Sequence, residues 1–187
     1  MPDLRIKYKL ILLYGFRLMK KMTPSYITMY HKLKRMVNNP EHILNYLDDN
    51  TRIVGGLVLQ VILAEEWSTD IDIYTTLNIN PNEIKIPGKW SEYPNKIGYN
   101  IIPGVKRVYH DTQNNIDLIL ISDWETVFSG FDFDFCKCWF DGEEFGMENP
   151  ESVIRKHCVV NFDELRYRPT QRIKKYRKRG FIIDIEN

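Results

Sequence analysis

Apolar and polar positions change period several times along this 187-residue chain, and each change predicts an element. Residues 4–36 carry apolar positions at helical spacing, with a break at Thr23-Pro24-Ser25. Asn39-Pro40 sets an N-cap before a proline at the first helical position. The helix it opens carries Ile43, Leu44 and Leu47 and stops at Asp48-Asp49-Asn50. Arg52-Ile53-Val54 reads as a short strand ended by Gly55-Gly56, and the apolar run Leu57 to Ala64 as a buried helix opening at those glycines. Asp70 to Tyr74 alternates strictly, which predicts a strand.

Residues 78–104 are broken up by Pro, Asn and Gly and read as a long insertion with one short strand at Ile84–Ile86. Val105 to His110 and Ile116 to Ile121 flank the polar turn Thr112-Gln113-Asn114-Asn115, a hairpin signal. Ser122-Asp123-Trp124-Glu125 fits a capping box, so a short helix follows. Asp132 to Phe140 alternates again and reads as a strand, with Asp141-Gly142 as a two-residue hairpin turn. Asn149-Pro150 starts another helix, and Pro169 to Arg179 forms a basic helix ended by Gly180. Strands and helices mixed in this way, without a repeat, predict an α+β fold with a small mixed sheet flanked by helices. Residues 1–49 read as an N-terminal helical extension and 50–187 as the main domain.

Composition sets limits on function. With 43% hydrophobic and 13% aromatic residues the chain can build a core, which argues against disorder. A net charge of +1 says nothing about partners, but its distribution does. Between Arg155 and Arg179 ten Lys and Arg residues stand against Asp163 and Glu164. Arg172, Lys174, Lys175, Arg177 and Lys178 are therefore candidate contacts to RNA or DNA, and equally a solvated helix face. Cys136, Cys138 and Cys158 make an odd count with no secretory signal, so a reduced, cytoplasmic setting is expected. Cys136-x-Cys138 lacks a second ligand pair and reads as buried core. The apolar run Leu10 to Phe16 is too short to span a bilayer, so no membrane is expected.

The candidate chemistry starts with Asp70 and Asp72. Side chains repeat every second residue on a strand, so the two carboxylates share a face while Ile71 and Ile73 turn to the core. Paired carboxylates repel unless a cation relieves them, which suits a hard ion such as Mg2+ or Mn2+. Gly55 and Gly56 leave a strand and open a helix, so their backbone N–H groups can converge on phosphate oxygens.

Val54-Gly55-Gly56, a helix, and then Ser68-Thr69-Asp70-Ile71-Asp72 resemble the signature of the DNA polymerase beta-like nucleotidyltransferase superfamily. The spacing is similar to that of its CCA-adding and poly(A) polymerase branches. Phe131 to Cys136, Phe140-Asp141-Gly142 and Arg172 to Phe181 resemble a little-studied branch from fungi and large DNA viruses. The resemblance implies a nucleotidyltransferase fold and a third carboxylate, Asp117, within Ile116-Asp117-Leu118-Ile119. It adds Ser68 to Gly55 and Gly56 as a nucleotide-binding candidate. The activity it implies is transfer of a nucleoside monophosphate from an NTP such as ATP to a hydroxyl, with pyrophosphate released. The acceptor would be an RNA end, a small molecule or a protein.

Two departures keep other classes open. Leu57 stands where many members carry a hydroxyl, and Leu59-Gln60 where the CCA-adding branch has an Arg-Asp pair. One alternative is an inactive module of this fold that docks nucleic acid or protein, and another is an interaction protein whose 78–104 insertion is the contact surface. Asp132 and Asp134 are rivals for the place of the third acid. His110 and His157 have no evident partners in sequence, and Tyr99 or Trp90 could stack a base.

Overall fold

The computed structural model describes residues 25–186 except 68, 82–85, 87, 94–98, 100, 162–164 and 166–167. Ser68, most of the expected strand at 84–86 and the expected helix before residue 25 therefore lie outside the described residues. In chain order the elements are α1 (Tyr26–Lys34), α2 (Glu41–Leu44), β1 (Thr51–Val54), α3 (Gly56–Leu63), β2 (Ile71–Thr75), β3 (Trp90–Glu92), β4 (Val105–Asp111), β5 (Ile116–Ile121) and α4 (Trp124–Ser129). A 3-10 turn (Asp134–Cys136) then leads to β6 (Cys138–Phe140), β7 (Phe145–Met147), α5 (Pro150–Arg155), β8 (His157–Asn161), α6 (Pro169–Lys178) and β9 (Ile182–Glu186).

Seven strands form one mixed sheet in the order β3-β4-β5-β2-β1-β6-β7. The pair β2–β5 is parallel and its neighbours are antiparallel. A separate parallel pair, β8–β9, is joined through α6. This is the expected α+β architecture, with a mixed sheet and flanking helices.

The alternation of β2 and β5 divides the interior. Ile53, Ile71, Ile73, Ile116, Leu118 and Leu120 face a large cluster that also takes Met29 and Leu33 of α1, Ile43 of α2 and Leu57 and Val58 of α3. Val54, Tyr74, Ile119 and Ile121 face a smaller cluster against Val127 and Phe128 of α4. Because successive side chains alternate, Asp72 and Asp117 share the face of Tyr74 and Ile119. Burial of the apolar side chains at about 25 cal/mol per Å2 is the main force holding both layers to the sheet.

Two helix starts depart from the expected caps, since Asp123 rather than Ser122 caps α4 and α2 opens after Pro40 with no side-chain cap from Asn39. Ser25, Asp123 and Asn149 each accept a hydrogen bond from a first-turn backbone N–H, at 3.3, 2.7 and 3.0 Å. Gly180, at φ +81°, follows α6 as expected.

The segment 132–140 differs from expectation. Only Cys138–Phe140 is a strand, and Asp134–Cys136 turns as a 3-10 helix. Phe133, Phe135, Cys136, Cys138 and Phe140 are all buried, which a straight strand with one apolar face cannot achieve. The turn lets Phe133 and Phe135 stack at 5.2 Å with Tyr176 of α6 against both rings. The following hairpin is present, but its loop is four residues long. Phe140 pairs with Phe145, and the Asp141 carboxylate accepts from the N–H groups of Glu143 and Glu144.

Candidate functional site

Strand direction brings the candidate residues to one end of the sheet. β1 runs antiparallel to β2, so Gly55 and Gly56 at the end of β1 meet Asp70 and Asp72 at the start of β2. β5 runs parallel to β2 with Asp72 opposite Asp117. Asp70, Asp72 and Asp117 consequently offer carboxylate oxygens that all lie within 4.8 Å of one another. Asp70 and Asp72 are half-buried, and Asp117 is 2% exposed. Unit charges that close repel by on the order of 3–4 kcal/mol a pair at an effective dielectric of about 20.

Two neighbouring side chains offset this repulsion. The Tyr99 hydroxyl donates to Asp72 Oδ1 at 2.6 Å and lies 3.2 Å from Asp117 Oδ2. Burial, followed by the charge of Asp72, pushes the Tyr99 phenol well above its ordinary range, so it stays a donor. His110 Nδ1 lies 2.6 Å from Asp117 Oδ1, a hydrogen bond in which the ring N–H of the Nδ1 tautomer is the donor. His110 thus has a partner that the sequence alone does not reveal. The signal is in the hairpin: once Asp111 faces Ile116, His110 must face Asp117. Tyr99 comes from the 78–104 segment, where no periodicity announces it.

A cleft of about 350 Å3 is lined by Asp70 and Asp72, with Asp117 buried behind them. Gly55, Gly56, Thr69, Asp70 and Asp72 line the cleft together with Arg172 and Lys175 of α6. Gly55 sits at φ +82°, ψ −131°, a conformation open to glycine. Its N–H is taken by Cys138 O at 2.9 Å, which leaves Gly56, the first residue of α3, as the candidate donor of the pair. Leu57 and Val58 follow in the first turn of α3, where N–H groups have no carbonyl four residues back. The Leu57 side chain is 1% exposed in the core, so that position does not present a side chain to the cleft. Thr69 Oγ1 comes nearest, 3.0 Å from where a Cβ on Gly56 would lie.

The basic helix divides by face. Arg172, Tyr176 and Arg179 turn toward the interior at helical spacing, while the exposed Lys175 joins Arg172 and Tyr176 in lining the cleft. Arg172 is ion-paired with Asp132, which is buried, and its guanidinium lies 5.3 Å over the Phe133 ring. Arg179 lies 4.7 Å over Trp67. Desolvation holds the Lys175 ammonium below the ordinary lysine value, with Arg179 pushing the same way and Asp70 opposing. Lys174, Arg177 and Lys178 are exposed, and Arg177 also donates to Ile183 O at 2.7 Å. Of the rival acids, Asp132 is engaged by Arg172, and Asp134 by Lys137 at 2.8 Å. Neither belongs to the carboxylate group around Asp72.

The three cysteines are free and buried. Burial pushes the thiol of Cys158 up to about 12 and those of Cys136 and Cys138 upward as well, so none is a thiolate at neutral pH. Among the described residues no helix is long and apolar enough to cross a membrane.

No protein-family model matches the chain, and no curated protein does. Among solved structures it is similar to the Bacillus stearothermophilus CCA-adding enzyme in complex with CTP, with 13% identity and a TM-score of 0.48. The match covers 83% of this chain and 40% of that one, so the chain spans less than half the length of that enzyme.

Proposed function

We propose that this cleft binds a nucleoside triphosphate with Mg2+ or Mn2+ and transfers its nucleoside monophosphate to a hydroxyl acceptor, releasing pyrophosphate. The observation that carries the reading is the meeting of Asp70, Asp72 and Asp117, the first two of which line one cleft with Gly55 and Gly56. The donor set fits a hard cation: three carboxylates, no sulfur, and oxygens within 4.8 Å of one another. A divalent ion bound there supplies charge neutralisation at phosphate and acidifies a coordinated hydroxyl.

The remaining work falls to the chain. Asp70, Asp72 and Asp117 fix the reacting end. Gly56 and the first turn of α3 offer N–H groups to phosphate oxygens, and Ser68 is proposed to join them. Arg172 and Lys175 line the same cleft as Asp70 and Asp72 and would place positive charge beside a bound triphosphate. Tyr74 and Phe131 add aromatic surface to the same cleft, suited to a base. Lys174, Arg177 and Lys178 stand outside it and are proposed to meet the backbone of an RNA or DNA acceptor.

Purified protein with α-labelled NTPs, Mg2+ or Mn2+ and total RNA or cell extract tests the reading. Label should pass to an acceptor, and Asp72→Asn should reduce the rate by about 100-fold or more, as loss of one electrostatic stabiliser does. Equal labelling by wild type and Asp72→Asn would contradict it. Nucleotide binding without any transfer would leave the inactive binding module as the better account.

A further inference from the structure

The sheet extends a row of cross-strand partners from the acids to side chains that the chemistry above does not use. Ser91, His110, Asp117 and Asp72 are successive cross-strand partners on β3, β4, β5 and β2. Residues directly opposite one another project to the same face, so the row ends in the carboxylate group. His110 touches Asp117 at one oxygen, and Tyr99 approaches the other. The edge of the imidazole also meets the Tyr93 ring, with centroids 5.5 Å apart and planes at 86°.

We propose that His110 is a positioning residue for Asp117, holding its carboxylate in the orientation from which Asp117 and Asp72 share a divalent cation. The inference rests on the metal-dependent reading above. Asp117 is 2% exposed, so water does not set its rotamer, and with one oxygen tied to the His110 ring its other oxygen is turned to the Tyr99 hydroxyl that also bonds Asp72. The Nδ1–H of His110 is the tie, and the side chain is itself 19% exposed and braced by Tyr93. Partners of this kind change metal affinity by ~10–100-fold when removed.

The test uses the full chain and Mn2+ as the probe, with free Mn2+ followed by electron paramagnetic resonance. His110→Ala should weaken Mn2+ binding by ~10-fold or more. His110→Asn, whose amide nitrogen falls close to the place of Nδ1, should recover binding to within about threefold, since hydrogen bonding rather than ring bulk is at issue. A residue needed only for stability would lower the melting temperature and leave the Mn2+ affinity of the folded protein unchanged, and that result overturns the proposal. Should His110→Ala not fold, the wild-type protein decides the matter by nuclear magnetic resonance. A downfield, exchange-protected His110 Nδ1 proton that shifts when Mg2+ is added supports the role, and its absence overturns it. Wild type that binds no Mn2+ removes the metal reading and this inference together, whereas tight wild-type binding matched by His110→Ala removes the inference alone.

Discussion

At Gly55 the backbone stands at φ +82°, ψ −131°, where an L side chain meets its own main chain. A Cβ there would find Cys136 O no nearer than 4.0 Å, so surrounding space is not the constraint. Gly55→Ala should therefore destabilise the fold through the backbone alone, by about 1–3 kcal/mol, seen as a lowered melting temperature. An unchanged melting temperature would show that the turn from β1 into α3 relaxes without strain. Residue chemistry of this sort is largely legible in the sequence. The glycine pair, the Asp-x-Asp alternation and the apolar flanks of Asp117 all mark positions that meet in space. His110 is hidden only because its partner is set by hairpin register, and Tyr99 because a connecting segment, not a strand, delivers it. Arg172 pairs with Asp132 across forty residues of sequence, which no local pattern encodes.

Elements show where period alone misleads. The Phe-Asp alternation of 131–135 imitates a strand, yet Arg172 draws Asp132 inward and the aromatic cluster around Tyr176 takes both Phe133 and Phe135. Tertiary packing overrides the local pattern there. Helix α6 carries the opposite lesson, since ten residues of mixed basic sequence serve two faces. The double variant Lys174→Ala with Lys178→Ala should weaken RNA or DNA binding and lower the slope of log affinity against log salt by ~0.7–0.9 for each phosphate no longer neutralised. It should leave NTP affinity nearly unchanged. Arg172→Ala should do the reverse, lowering NTP affinity while leaving the salt slope in place. Filter binding across a salt series together with nucleotide titration reads both. If both variants reduce only nucleotide binding, the outer face of α6 is a solvated surface.

Across the whole molecule, strand direction sets where the candidate residues meet. An antiparallel β1 and a parallel β5 on either side of β2 bring a helix start and three carboxylates to one end of the sheet. Helix α6, which joins the parallel pair β8–β9, adds Arg172 and Lys175 to the lining of the cleft. Residues of α1 and α2 belong to the same apolar cluster as the sheet, so the described N-terminal helices contribute to the body that supports the site. The most direct measurement is calorimetric titration of a non-hydrolysable NTP analogue into the wild-type chain with Mg2+, with EDTA, and into Asp72→Asn with Mg2+. Saturable binding with Mg2+ that weakens by ~10-fold or more in EDTA and in Asp72→Asn is the predicted result, since the triphosphate and the carboxylates would share the ion. Equal affinity under all three conditions, or none with Mg2+, would contradict a cation-bridged nucleotide site at Asp70, Asp72 and Asp117.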